Sequence, residues 1–286
     1  MLRIFDAHVH LFDCEANTYA FLEHEDRSFK TIAGDYSALP RRYLTDGYLN
    51  DSASCEVEGI VWYEFLSADP VREAKWAQHL VDASHLRQSM VVLVDFLDPA
   101  LEERLAVYAT PPNVVAAREH LGWDAGNALR RFAKRPKLLT DPEWRKGLGA
   151  LRRHGFKCGI ELFAPQLSDL PDVARLYPDV GFTLGVMGWP LDLSPSGYTQ
   201  WRHDLAVLSR CENVCIEIAA IECLFGMDWR QEDVAPCTFG SHMPIAGLSV
   251  GFERLYNAYQ EIAARFSAVE RDDLFTGTAA AWFKPR

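Results

Sequence analysis

The sequence predicts an α/β chain folded as one (β/α)8 TIM barrel, a single domain over residues 1–286. Three observations carry this. Eight short apolar runs recur along the chain, each followed by a longer amphipathic or polar stretch. The runs are nearly continuous in apolar character instead of alternating, as strands covered on both faces are. No repeat, low-complexity tract or linker divides the chain, and a barrel of roughly 250 residues is an ordinary single domain.

The first strand is Ile4–His8. Gly59–Phe65, Met90–Asp95 and Val114–Arg118 follow, then Cys158–Phe163, Phe182–Val186, Val214–Ile218 and Cys237–Gly240. Between them lie helical patterns. Asp69–His85 opens on Asp-Pro and carries Val71, Ala74, Trp76 and Leu80 in a fair amphipathic pattern. Pro99–Tyr108 follows Asp98 as its cap, with Pro at the first helical position. Pro142–His154 follows Asp141 in the same way and closes at Gly155. Asp169–Tyr177, Gln200–Cys211 and Phe252–Arg265 continue the series, and Ala268–Phe275 after Ser267 ends it. Strands alternating with helices through short loops make a parallel sheet. Eight such units favour a closed barrel over an open one. One connection breaks the pattern: from Ala219 to Pro236, Gly226 and the polar run Arg230–Asp233 leave little room for a helix. A shortened seventh unit is expected there.

Net charge is −11, from 29 Lys+Arg against 40 Asp+Glu. The acids are scattered, which suits a solvated surface and argues against nucleic acid or an anionic membrane as partner. A small-molecule substrate remains, including an anionic one held by a few Arg, and a homo-oligomer stays open. Seven Cys form no Cys-x-x-Cys pair, so reduced buried thiols are expected. The first residues lack a basic and apolar leader pattern, and no apolar run approaches ~18 residues, so the expectation is a cytoplasmic protein. Glycine-rich phosphate loops and Gly-x-Ser-x-Gly elbows are absent, which gives no support to an organic cofactor or a serine nucleophile.

The sharpest local signal is Asp6-Ala7-His8-Val9-His10 at the exit of the first strand. Residues two apart on a strand point the same way, so both imidazoles face the C-terminal mouth, where barrel enzymes place their sites. Two convergent imidazoles suit a divalent metal or a proton transfer. Glu161 on the fifth strand and Glu217 on the seventh are acids in apolar surroundings, candidates to face the same space or to pair with Arg or Lys across it. His24, His79, His85, His154 and His203 fall on loops and helices and are assigned to the surface. Trp62, Tyr63, Trp123 and Trp189 stand at or after strand ends, where rings pack a core or wall a pocket.

The opening Phe5-Asp6-Ala7-His8-Val9-His10-Leu11-Phe12-Asp13 resembles that of the amidohydrolase-related family, in the branch with 2-pyrone-4,6-dicarboxylate lactonase and sugar lactonases. Leu184-Gly185-Val186-Met187-Gly188-Trp189-Pro190 is similar to the family's sixth-strand segment. Phe239-Gly240-Ser241-His242-Met243-Pro244 is similar to its eighth, and Leu274-Phe275-Thr276-Gly277-Thr278-Ala279-Ala280 to its closing segment. The resemblance spans nearly the whole chain. It implies a hydrolase of lactones or similar carboxylic esters or amides, acting on a small acidic substrate, with zinc or manganese as the metal where one is bound. His8, His10 and His242 become the catalytic candidates, and His8 and His10 the metal ligands. Arg118, where the lactonase branch keeps an Arg for a substrate carboxylate, heads the substrate-binding candidates with Glu119, Glu161 and Glu217; an ion pair with a neighbouring acid is the alternative for Arg118. His120 follows directly.

Two departures matter. Val186 stands where the family has a His, and a hydrocarbon can neither ligate nor hydrogen-bond. His242 stands where it has an Asp; it can still act as a base or ligand but brings no negative charge. A metal-dependent decarboxylase and a barrel that binds a ligand without turning it over are the alternatives.

Overall fold

In the computed structural model, which describes residues 1–220 and 237–286, eight parallel strands form one sheet in sequential order. They are β1 (Leu2–Val9), β2 (Cys55–Tyr63), β3 (Arg87–Leu93), β4 (Val114–His120), β5 (Lys157–Glu161), β6 (Phe182–Leu184), β7 (Val214–Ile218) and β8 (Cys237–Phe239). The last strand returns to the first just beyond the mouth. Val9 bridges Met243 in parallel, the His10 N–H donates to the Met243 carbonyl at 2.9 Å, and the His242 N–H donates to the His8 carbonyl at 2.8 Å. The chain is a (β/α)8 TIM barrel.

Strand parity sorts the side chains into two layers. Ile60, Trp62, Met90, Val92 and Ile160 face outward into the large cluster shared with the helices. Phe5, Val61, Val91 and Ala116 face inward and pack with Ala279 and Phe283 from the end of the chain. Thr276 donates to the Arg3 carbonyl and Trp282 to Thr183, so the closing segment covers the N-terminal end of the barrel.

The helices follow the capping logic with two corrections. Asp69 and Asp141 accept from Arg72 N (3.0 Å) and Glu143 N (2.9 Å), starting α1 (Pro70–Ala83) and α3 (Pro142–His154), which ends on left-handed Gly155. Asp98 does not cap its helix. α2 (Leu101–Tyr108) begins at Leu101 rather than Pro99, with Ala100 as its N-cap, although the Asp98 carboxylate accepts the Ala100 N–H at 2.9 Å and pairs with Arg104. After α4 (Leu170–Leu176), α5 (Pro195–Leu208) begins at Pro195 rather than Gln200, with Ser194 accepting from Gly197 N at 3.2 Å. Ser-Pro is itself a start signal. α6 (Phe252–Ala263) lies as expected, and α7 (Ala268–Asp272) runs through a π turn at Asp273–Gly277 into α8 (Thr278–Trp282).

Two other differences shape the mouth. β6 stops at Leu184, short of the expected Val186, because Val186 and Met187 turn out of the strand with φ of 52° and 55°. Between β1 and β2, short helices at Ala20–Glu23, Arg27–Ala33 and Thr45–Asp51 and a two-residue antiparallel pair form an excursion to which the sequence reading assigned no element. Its Phe12 and Phe21 pack on Phe65 at the end of β2, with ring centroids 4.5 and 5.1 Å apart. The shortened unit expected over 219–236 lies mostly outside the described residues. The described cysteines are free thiols, and no described helix is long and apolar enough to cross a membrane.

Candidate active site

The inward positions change character along the strands. Near the barrel base they are small or apolar, and at the C-terminal ends they become Tyr63, Arg118, His120, Glu161 and Glu217. Gly159 lets the Arg118 stem cross the barrel, since a Cβ there would lie 2.6 Å from that of Arg118.

Three imidazoles meet at the mouth. His8 Nε2 lies 3.1 Å from His10 Nε2, and the ligand atoms of His8, His10 and His242 all fall within 4.8 Å of one another. The tautomer of His10 follows from its partner: its Nδ1 is 3.2 Å from the Tyr63 carbonyl, which only accepts, so Nε2 carries the lone pair. Burial, then the neighbouring positive charges, push His8 and His10 well below the usual imidazole range. Both rings are therefore neutral at neutral pH.

Glu217 sits behind this set. It is fully buried, hydrogen-bonds His8 Nδ1, and accepts from the Tyr63 hydroxyl at 2.6 Å; the Tyr63 ring stacks on His8 at 4.0 Å. Burial pushes its carboxyl up to about 8. Glu217 does not border the cavity, which corrects the expectation that it binds substrate: it orients His8, as carboxylates behind metal-binding histidines do.

Asp6 ties the first and eighth units together. It accepts from Ser241 N (2.7 Å), His8 N (3.3 Å) and the Tyr48 hydroxyl (2.8 Å), and burial raises it to about 6. The following His242 holds φ of 57°. Asp, Asn and His are the side chains enriched in that left-handed region, so His at this position keeps the local backbone.

Arg118 is committed to carboxylates. Its Nε donates to Glu64 at 2.7 Å, another nitrogen donates to Glu161, and its guanidinium lies 4.8 Å over the Tyr63 ring. His120 stands between the same two acids, 3.0 Å from Glu161 and 3.4 Å from Glu64. Burial works to raise Glu64, but Arg118 and His120 outweigh it and hold the carboxyl at about 2. Burial likewise opposes the charge on Glu161, which His120 and Arg118 still keep well below its usual range. His120 rises to about 9 against its own burial, mainly through Glu161. Arg118 borders the cavity as expected of a substrate-binding residue, and it also makes the ion pair with neighbouring acids that was the alternative reading. Glu119 borders the cavity, but its carboxylate accepts from Trp144 Nε1 at 2.7 Å. Glu64 escaped the sequence reading, and His120 entered it only as a neighbour of Arg118. Both stand at the C-terminal ends of barrel strands, the rule that found His8.

These groups floor a cavity of about 480 Å3. Its described walls include Phe29, Ile32, Phe65, Phe132, Val186 and Trp189. Trp62 points away and donates to the Leu11 carbonyl, and Trp123 packs under Arg131. His24, His79, His85 and His203 are exposed and His154 is partly so. The neutral imidazoles of His8 and His10, with His242 beside them, fit a divalent cation of the zinc or manganese kind. With Glu217 ionised, His8 Nε2 also presents a lone pair, and two lone pairs 3.1 Å apart need a cation or proton between them.

A family model described as amidohydrolase matches residues 5–284. The uncharacterized protein y4mH of Sinorhizobium fredii is 27% identical over 298 residues, 99% of each chain. Among solved structures, an amidohydrolase from Burkholderia multivorans with bound zinc superposes with a TM-score of 0.75 at 19% identity over 100% of both chains. A probable 2-pyrone-4,6-dicarboxylic acid hydrolase from Acinetobacter baumannii, with citric acid bound, reaches 0.66 at 14% identity over 98% of both.

Proposed function

The chain belongs to the amidohydrolase family, and from that premise we propose that its barrel mouth hydrolyses a lactone or a similar carboxylic ester or amide. The observation that carries the reading is the convergence of His8, His10 and His242 on the floor of one cavity. A divalent cation held there would supply Lewis acidity toward a carbonyl oxygen.

The chain's own groups divide the remaining work. Glu217 and the Tyr63 carbonyl orient His8 and His10 toward the shared space. Glu64 and Glu161 are held too acidic to take a proton at neutral pH, and His8 and His10 are held too weakly basic. His242, which stands beside the His8 and His10 pair on the cavity floor, would accept the proton of the attacking water. The water oxygen bonds to the carbonyl carbon, the acyl C–O or C–N bond breaks, and the leaving atom takes a proton. A general base of this kind contributes about 10²–10⁴-fold.

The test is turnover of a lactone and ester panel, with metal content measured on the same preparations. His10→Ala and His242→Ala are both expected to lose at least about 100-fold in kcat/KM, and His10→Ala to lose its metal as well. Unchanged turnover in both variants overturns the assignment. Release of CO2 from an aromatic acid would move it to decarboxylation, and ligand binding without turnover to a non-catalytic barrel.

A further inference from the structure

Resting on the hydrolytic reading, we propose that the substrate's non-reacting body is uncharged and apolar, about the size of one substituted ring, and that the cavity discriminates against a carboxylate on that body. The first support is the charge pattern. Each Lys or Arg among the described lining residues has a carboxylate of its own. Arg118 is held by Glu64 and Glu161, Lys134 pairs with Asp95, and Arg104 pairs with Asp98 at 2.7 Å. His120 shares the acids of Arg118. A carboxylate entering the body of the cavity would have to displace one of these acids or remain unpaired and partly desolvated. That repulsive arrangement is the usual source of discrimination against a wrong ligand.

The second support is the wall. Phe29 and Ile32 reach over from the excursion after β1, Phe65 from the end of β2, Phe132 from beyond β4, and Val186 and Trp189 from beyond β6. Val186 is the most informative of these. Its φ of 52° places a β-branched side chain in the left-handed region, where Asn would sit at ease. The hydrocarbon is kept against that preference and packs with Phe163, Trp189 and Ala220 in an apolar cluster separate from the main core. At about 480 Å3 the cavity lies within the ordinary range for a small ligand.

Two measurements separate this proposal from the hydrolytic reading. Binding is read calorimetrically with a phenyl-substituted δ-lactam, which is not expected to turn over, and with its ring-carboxylated counterpart. Turnover is read with the matching lactones. The neutral lactam is expected to bind at least about 10-fold tighter than the carboxylated one, and Val186→Asn to narrow that ratio by about 10-fold through loss of apolar wall. Because Asn favours the local backbone, the variant is expected to fold, and the wild-type ratio tests the proposal without it. Equal or tighter binding of the carboxylated lactam, or no binding of either, overturns the proposal. The expected binding order without lactone turnover leaves it standing and removes the hydrolytic reading. Turnover that favours the carboxylated lactone does the reverse.

Discussion

Replacing Glu217 with Gln should weaken metal binding while leaving the metal-free protein nearly as stable. Burial holds the Glu217 carboxyl at about 8, so at neutral pH without a cation it is a neutral acid, and Gln is close to it in shape and charge. The metal-free stability should therefore change by less than about 1.5 kcal/mol. A cation changes the requirement. His8 must then offer its Nε2 lone pair, its Nδ1 must keep the hydrogen, and the group behind it must accept. A carboxylate accepts from both His8 and the Tyr63 hydroxyl. A Gln amide accepts only through its oxygen, and its NH2 then meets the Tyr63 hydroxyl, whose hydrogen loses its acceptor. The loss of a charge-assisted hydrogen bond is worth about 1.5–3 kcal/mol, or roughly 10–100-fold in metal affinity. Zinc titration calorimetry and denaturant unfolding of the metal-free protein read the two quantities separately. Unchanged zinc affinity would refute the orienting role, and a loss of several kcal/mol in the metal-free protein would refute the neutral carboxyl.

Arg118→Met should cost about 3–5 kcal/mol by urea unfolding, because Glu64 and Glu161 lose the buried cation that balances them; a cost under about 1 kcal/mol would speak against that balance. Gly240→Ala places a Cβ 2.7 Å from the His8 Cβ and 2.9 Å from its nitrogen. It should lower stability by about 1–3 kcal/mol and weaken zinc binding together; normal affinity would show that His8 is not displaced. Glu73 is fully buried, and burial followed by the charge of Glu64 raises it from 4.5 to about 8. The folded state keeps a proton that the unfolded state releases, so this contribution is complete below about pH 4.5 and is lost as the pH rises toward 8. Glu73→Gln should remove up to about 1.4 kcal/mol per pH unit of that slope. Equal slopes for the two proteins in that window would rule it out.

The sequence by itself determined the barrel and pointed to the place of its candidate site. Short apolar runs bounded by turns read as strands buried on both faces, and their alternation with capped helices leaves a parallel barrel as the economical closure. His8 and His10 were legible because a spacing of two on a strand sets direction locally. The edges of elements were less legible where a helix began past its expected cap, as after Asp98, or where the backbone left the strand early, as at Val186. The excursion after β1 was missed because short turns of helix carry too little periodicity to read.

What only the tertiary structure decided is the charge state and allegiance of the polar groups. An acid on a strand does not announce its partner: Glu217 went to His8 and Tyr63, while Glu161 joined Arg118 and His120 from a neighbouring strand and Glu64 completed the set from β2. Those pairings depend on which strand ends the barrel brings side by side, and on burial that raises one carboxyl and lets a cation lower another. Asp-Ala-His-Val-His marked the mouth before any fold was known. Closure of the barrel set His242 against that pair and gathered Glu64, Glu161 and His120 around Arg118.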